Sequence, residues 1–438
     1  MNFIAAFSCL RAAFSLELVP MKRHITEYTR WGLAFLCLVP CPALAQSLPD
    51  DDVVNVRDLP QPDYAPLGLR AGAFILNPIL SLSEEYDDNI FRDETGEQSD
   101  WITSVQPALN IRSDWNLHEV QFRASGDLAY YADNSDENYQ DYSVSASGRY
   151  DITYETFLNA LLRWDQLHED RGSPDDVNGD EPITYDRLSA GMGFTRALGK
   201  LKLFVDGLYQ DYTFDDTTAL GVVVDTSNRD RKQTRFQTRL AYEMSPNYDV
   251  FISTAWNKRD YDRVVTVDRS SDGHEIRAGA DLNITGKVKG EVYAGRITQN
   301  YSDDFEDIGT ANYGGSLLWN ITGLTSLTGS LDRSVIETVS TGNSGYVRTA
   351  SRIGVDHAFK RNILFGGFLG FNQDDYIANT TGSDEREDST RLAGLRLEYK
   401  PMRGASLETR YDCVDRDSNL DGSDFSNNRF LITLRYSF

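Results

Sequence analysis

The sequence predicts an all-β chain: a transmembrane, antiparallel, up-and-down outer-membrane β-barrel of about 18 strands, with about 16–18 as the range. Three observations predict it. From Ala71 onward apolar and polar residues alternate through most of the chain. The connections between alternating segments are short and long in turn. The final segment alternates up to the aromatic Phe438.

The chain begins with a targeting region. Met21-Lys22-Arg23-His24, with Arg30 behind, is a basic start. The apolar stretch Trp31 to Val39 follows, then Pro40-Cys41-Pro42-Ala43-Leu44-Ala45-Gln46. A basic flank, a short apolar run and an Ala-x-Ala site define a Sec-type signal peptide, with Ala43 and Ala45 as the cleavage residues. Residues 1–20 read as an upstream extension, and 21–45 as the signal peptide. Proline before Cys41 fits a lipoprotein box poorly. No run of about 20 apolar residues follows position 45, so no transmembrane helix is expected there.

Residues 46–70 hold four prolines and several acids without periodicity. They read as a flexible periplasmic lead-in. Asp51 to Asp58 loosely resembles the coupling box of plugged transporters, but no plug-sized domain follows.

Residues 71–438 read as the barrel. Ile276, Ala278, Ala280, Leu282 and Ile284 alternate with Arg277, Gly279, Asp281 and Asn283. Ala393, Leu395, Leu397 and Tyr399 alternate with Gly394, Arg396, Glu398 and Lys400. Period two means strands with one apolar face. A soluble sandwich would bury that face, whereas a membrane barrel turns it to lipid. The polar faces carry too many charges of both signs for a sandwich core. Tight turns at Gly199-Lys200, Gly286-Lys287 and Lys360-Arg361-Asn362 contrast with Asp-rich loops at 168–183, 215–228 and 378–386. Short periplasmic turns and longer external loops mark outer-membrane barrels. Aromatic residues near strand ends, among them Tyr130, Tyr131, Trp164, Tyr209, Tyr212, Trp256, Tyr261, Tyr293, Tyr301, Trp319 and Tyr376, suit interfacial girdles. In the last strand, Phe430, Ile432, Leu434, Tyr436 and Phe438 share one face. That pattern resembles the signal read by the barrel assembly machinery, and closing the ring removes a free sheet edge.

Composition narrows the function. The net charge of −24 excludes nucleic acid as a partner. Acids recur in clusters between strands, as at Asp87-Asp88, Asp133 to Glu137 and Asp384 to Asp388. These read as solvated loop tips, or as sites of divalent-cation bridging to lipopolysaccharide, which with outer-membrane lipid is an expected partner. After cleavage only Cys413 remains of the four cysteines, so no intramolecular disulfide is expected.

No catalytic motif is found, so the chain does not read as an enzyme. His118-Glu119, His168-Glu169 and His274-Glu275 lack a second histidine at zincin spacing. No cofactor motif is present. Asp417, Asn419 and Asp421 match the start of a calcium loop, but position twelve is Asn428 and the flanks are strands, so an Asx-rich turn explains them better. The lumen is the remaining candidate. Its inward positions include Arg235, Arg239, Arg277, Arg396, Arg410, Arg429 and Arg435. Such guanidinium groups can bind carboxylates of an acidic sugar polymer or pair with neighbouring acids and brace the wall.

Two stretches carry a family resemblance. Leu69 to Pro78 leads into Tyr86-Asp87-Asp88-Asn89-Ile90-Phe91. Tyr411 to Phe438 contains Asp415-Arg416-Asp417-Ser418-Asn419. Together they resemble the putative β-barrel porin type 2 family of Gram-negative bacteria. That resemblance implies an outer-membrane location, and several members look tied to capsular or exopolysaccharide production. The first expectation is therefore an exit channel for a surface polysaccharide, with polysaccharide and periplasmic export proteins as partners. A general diffusion porin is the alternative. No inward-folded constriction loop is evident in the sequence, which weighs against it. A structural or adhesive surface barrel is the third reading.

Overall fold

A computed structural model describes residues 53–264, 268–302, 305–340, 342–378 and 386–438. Among these residues eighteen long strands form one closed antiparallel ring. The first six are β1 Phe74–Asp87, β2 Asp100–Ser113, β3 Glu119–Tyr131, β4 Tyr139–Thr153, β5 Thr156–His168 and β6 Thr184–Leu198. Then come β7 Leu201–Phe214, β8 Arg231–Ser245, β9 Tyr248–Tyr261, β10 Ser271–Ile284, β11 Val288–Tyr301 and β12 Ile308–Thr322. The last six are β13 Thr325–Glu337, β14 Asn343–Lys360, β15 Ile363–Ala378, β16 Glu387–Met402, β17 Ala405–Ser418 and β18 Phe425–Ser437. Each strand pairs with its neighbours in sequence. β18 closes the ring on β1, in register from Ile79 opposite Ser437 to Asp87 opposite Arg429. Closure removes the free edges of β1 and β18, whereas the ladder between β12 and β13 runs only from Gly315 opposite Leu331 to Thr322 opposite Thr325.

The faces follow the alternation. Phe430, Ile432, Leu434 and Tyr436 are exposed on the outer surface, whereas Asn427 on the opposite face is buried. Which face is the lumen follows from contacts that skip strands. Arg239 on β8 bonds Glu291 on β11 at 2.7 Å, and Arg259 on β9 reaches Glu337 at the end of β13. Such chords fit only inside a closed ring. Gly314 on β12 helps make one: a Cβ there would stand 2.4 Å from the Tyr293 hydroxyl, and without it Tyr293 crosses β12 to donate to Asp332 on β13 at 2.9 Å.

The girdle expectation needs correction. Trp164, Tyr209, Trp256 and Trp319 lie on the outer face, but Tyr212, Tyr261 and Tyr376 are buried on the inner side. Proximity to a strand end does not set the face; residue parity within the strand does.

The expected lead-in is not free over its described part. Val53 and Val56 are buried, and Val56 N donates to Ser326 Oγ at 2.7 Å. Asn320 donates to Val54 O at 2.9 Å, and Asn55 to Asp356 at 2.9 Å. These partners face the lumen at the short-turn end of β12–β14. A turn of 3-10 helix over Val56–Asp58 sits there, and Arg57 reaches Glu408 on β17 at 3.5 Å. The chain then follows the rim, where Gly68 N donates to Phe438 O. The signal-peptide residues, Ala43 and Ala45 included, lie outside the described residues. Cys413 on β17 is buried and disulfide-bonded, against expectation.

Candidate functional site

The candidate site is the lumen and the loop that crosses it. All seven arginines expected on the inner wall are there, and most face acids. Arg235 lies 3.4 Å from Glu275, which also takes Arg277 at 2.6 Å. Arg239 binds both Asp281 and Glu291. Arg396 pairs with Asp356 at 2.7 Å and Arg410 with Asp412 at 2.6 Å. Arg429 stands 3.7 Å from Glu85, and Arg435 donates to Ser81 at 3.1 Å. Charge pairs of this kind stiffen a wall while leaving it wet. Arg352 differs: it lies over the Phe368 ring at 3.5 Å, and no carboxylate within ion-pair distance faces it among the described residues.

Loop 169–183, between β5 and β6, was expected to be a solvated external loop. Instead it folds inward. Its base is closed by Glu169 N donating to Ile183 O at 2.8 Å. Near its origin it is clamped twice. Glu169 receives both terminal nitrogens of Arg229, from the β7–β8 loop, at 2.7 and 2.6 Å. Arg171 grips Glu137, from the β3–β4 loop, with its Nε at 2.8 Å. The loop then reaches the far side of the ring. Asp175 accepts from Thr338 Oγ1 and from Val339 N at 2.9 Å, at the tip of β13–β14. Arg416 on β17 donates to Gly172 O. An excursion that leaves between β5 and β6 and bonds both β13–β14 and β17 must cross an eighteen-stranded lumen.

The far wall is moulded to receive it. Asp170, Gly172, Ser173 and Pro174 border a cleft with Arg348, Asp374 and Arg416 opposite. A Cβ at Gly172 would meet Asp170 Oδ1 at 3.2 Å and Arg92 Cγ at 3.4 Å, so a larger residue would push the loop from the wall. Within that wall Arg348 makes a bidentate bond to Asp374 at 2.7 and 2.6 Å. The tip of β13–β14 leans in as well: Val335, Ile336, Tyr346 and Val347 are all buried, on both faces of the hairpin.

Electrostatics set the strength of these anchors. Burial pushes the Asp170 carboxyl up, but Arg92, the Gly172 N–H and Arg429 outweigh it and hold it below the usual carboxylate range. Asp180 lies low because Gly221 and Leu220 N–H groups bond it, tying the loop to the hairpin Thr217–Ala219 and Val222–Val224. Asp176 behaves in the opposite way. Burial pushes it up to about 6, despite Arg171 at 3.7 Å, and one carboxyl oxygen has no hydrogen-bond partner. A carboxyl raised by docking favours the docked loop when protonated. That advantage is fully present only below the ordinary value of 3.8 and is lost as pH rises to about 6, above which ionised Asp176 costs of the order of 2–3 kcal/mol. Asp176→Asn is therefore expected to tighten the loop at pH 7.5 and flatten the dependence of its protease sensitivity on pH between about 4 and 7.

The calcium-like string does not assemble. Asp417 turns to Arg391 at 3.5 Å, and Asn419 accepts from Glu387 N at 2.8 Å. No group of three potential ligands occurs among the described residues. Sequence reasoning missed the loop anchors Glu169, Arg171, Asp175 and Arg229. The loop's length was the one available signal.

The closed ring and the alternating connections define a porin-type outer-membrane β-barrel. The chain belongs to the family described as Putative beta-barrel porin 2, whose model matches residues 61–438. No curated protein matches it. Among solved structures it is similar to OpdK of Pseudomonas aeruginosa crystallised with vanillate: 13% identity over 83% of this chain and 99% of that one, TM-score 0.46. It is also similar to OccAB4 of Acinetobacter baumannii: 13% identity, 83% and 98% covered, TM-score 0.45.

Proposed function

We propose that this chain is an outer-membrane channel for small polar solutes, with loop 169–183 as its constriction. One observation carries the reading: the loop spans the lumen and is bonded on both sides, by Arg229 and Glu137 near its origin and by Thr338, Val339 and Arg416 beyond it. The N-terminal segment supports it by occupying part of the short-turn mouth. An eighteen-stranded ring leaves an aqueous channel wide enough for large solutes only when nothing is folded inside. A polymer exit path needs that width along its whole length, and here both ends are narrowed. The expected role in polysaccharide export therefore gives way to its alternative.

Liposome swelling tests the proposal. Proteoliposomes are expected to admit monosaccharides and amino acids and to exclude polymers. Exclusion of every small solute, with surface polysaccharide lost in a deletion strain, would return the export reading. A second expectation concerns the N-terminal segment. Removing residues 46–58 is expected to raise conductance about twofold without altering the barrel, because its contacts at the mouth are a few polar bonds. Planar-bilayer recording checks it.

A further inference from the structure

We propose that the outer wall of β8–β11 carries a binding site for a lipid A phosphate of the outer leaflet. Four cationic or protonatable side chains point outward there, one per strand: Lys232 on β8, Lys258 on β9, His274 on β10 and Arg296 on β11. Each lies on the same face as an exposed apolar residue of its strand, namely Phe236, Trp256, Ile276 and Val292. They do not face the lumen, whose residues on these strands are Arg235, Asn257, Glu275 and Tyr293.

Register places them side by side. Lys232 is opposite Asp260, Lys258 opposite Asp272, His274 opposite Trp256, and Arg296 opposite Ile276. From β8 to β11 each base therefore sits one outward position further from the external loops than the one before. The aromatic line on the outer surface descends in the same sense. Tyr209 is level with Thr234, Trp256 with Phe236, and Tyr313 with Ala294 and so with Ala278. This is the tilt of the strands, so the staircase of bases runs close to parallel with the membrane surface. Lys258 stands one outward position above Trp256, and Arg296 one above the residue that pairs with Tyr313. A row just beyond an aromatic belt lies at lipid headgroup depth.

The row is anisotropic. On β6 and β7 the outward charges are acids, Asp186 and Asp211, and Asp211 stands opposite Lys232 at the edge of the row. Arg391 on β16 is taken by Asp415 at 2.7 Å and Asp417 at 3.5 Å. Within the row, Lys232 and Lys258 have aspartate partners, Asp262 and Asp260, but in exposed pairs that are weak in water. His274 is 4.0 Å from Asp272. Arg296 has no carboxylate partner among the described residues. It lies against Gly309, where a Cβ would stand 3.1 Å from its Nη2. Diagonal neighbours on a sheet face are about 7–8 Å apart, within reach of long side chains. Lys258 and Arg296 are each diagonal to His274, so one phosphate can take donors from all three. A guanidinium fork that no described carboxylate engages is the chemistry that phosphate selects.

The test measures lipid A retained by the purified full-length barrel, using native mass spectrometry with lipid A titrated back into delipidated protein. Lys258→Gln, His274→Gln and Arg296→Gln combined are expected to weaken lipid A binding roughly tenfold or more, since each cation near a headgroup contributes a separable part. Arg391→Gln is expected to leave it unchanged. Heat-modifiable gel mobility confirms that each variant is a folded barrel. Equal affinity of the triple variant and the parent would overturn the proposal, as would an equal loss in Arg391→Gln. Binding by the parent that disappears with chelator alone would also overturn it, because the phosphate would then be held through a bridging cation and not by these side chains.

Discussion

Replacing residues 170–182 with a short Gly-Ser linker is expected to raise single-channel conductance about threefold. The reason is geometric. The loop leaves the wall between β5 and β6 and ends against β13–β14 and β17, so it occupies cross-section that the ring would otherwise give to water. The barrel should survive the change, because each of the eighteen strands keeps both neighbours. Far-ultraviolet circular dichroism and gel mobility would report an intact barrel, and planar-bilayer recording would report the wider path. The variant should also admit solutes that the parent excludes.

Arg229→Ala is expected to have the largest effect on loop stability. The Arg229–Glu169 pair is bidentate, with the side chains only 4% and 1% exposed. Removing one partner strands the other as a buried charge, at a cost of about 3–5 kcal/mol. Arg229 also lies over the Phe214 ring at 4.3 Å, a contact that alanine cannot replace. The loop should then undock at its origin, which limited proteolysis between Gly172 and Pro182 would detect, together with noisy, interrupted conductance. Lys258→Ala provides the contrast. Its partner Asp260 is about half exposed, and the same truncation should change stability by less than about 1 kcal/mol.

The barrel was legible in the sequence because its physics is local. Every strand meets lipid on one face and the wet interior on the other, so the alternation of Ile276 to Ile284 with Arg277 to Asn283 is enough to orient β10. The inner-wall arginines were legible for the same reason. Arg429 and Arg435 lie on the lumen side because Phe430 and Leu434 must lie outside. The loop was not legible because its inward course is decided by partners far away in sequence. Glu169 depends on Arg229, Asp175 on Thr338, and Gly172 on Arg416. A string of acids around Gly172 and Pro174 reads the same whether it waves in solvent or is bolted across a pore. The aromatic residues failed differently. Tyr212 and Tyr261 were assigned by position along the strand, when one residue of offset decides whether a ring meets lipid or lumen. The N-terminal segment lacked periodicity, and absence of periodicity does not distinguish a loose tail from one held by side-chain bonds such as Val56 to Ser326.

The central claim is that the lumen is constricted by loop 169–183 to small-solute width. Polymer exclusion in planar bilayers tests it most directly: neutral ethylene glycol polymers of rising mass are added to both sides while conductance is followed. Only the smallest polymers are expected to enter the parent channel and depress its current, and the variant lacking residues 170–182 is expected to admit markedly larger ones. Entry of oligosaccharide-sized polymers into the parent, with no change of cutoff in the variant, would contradict it.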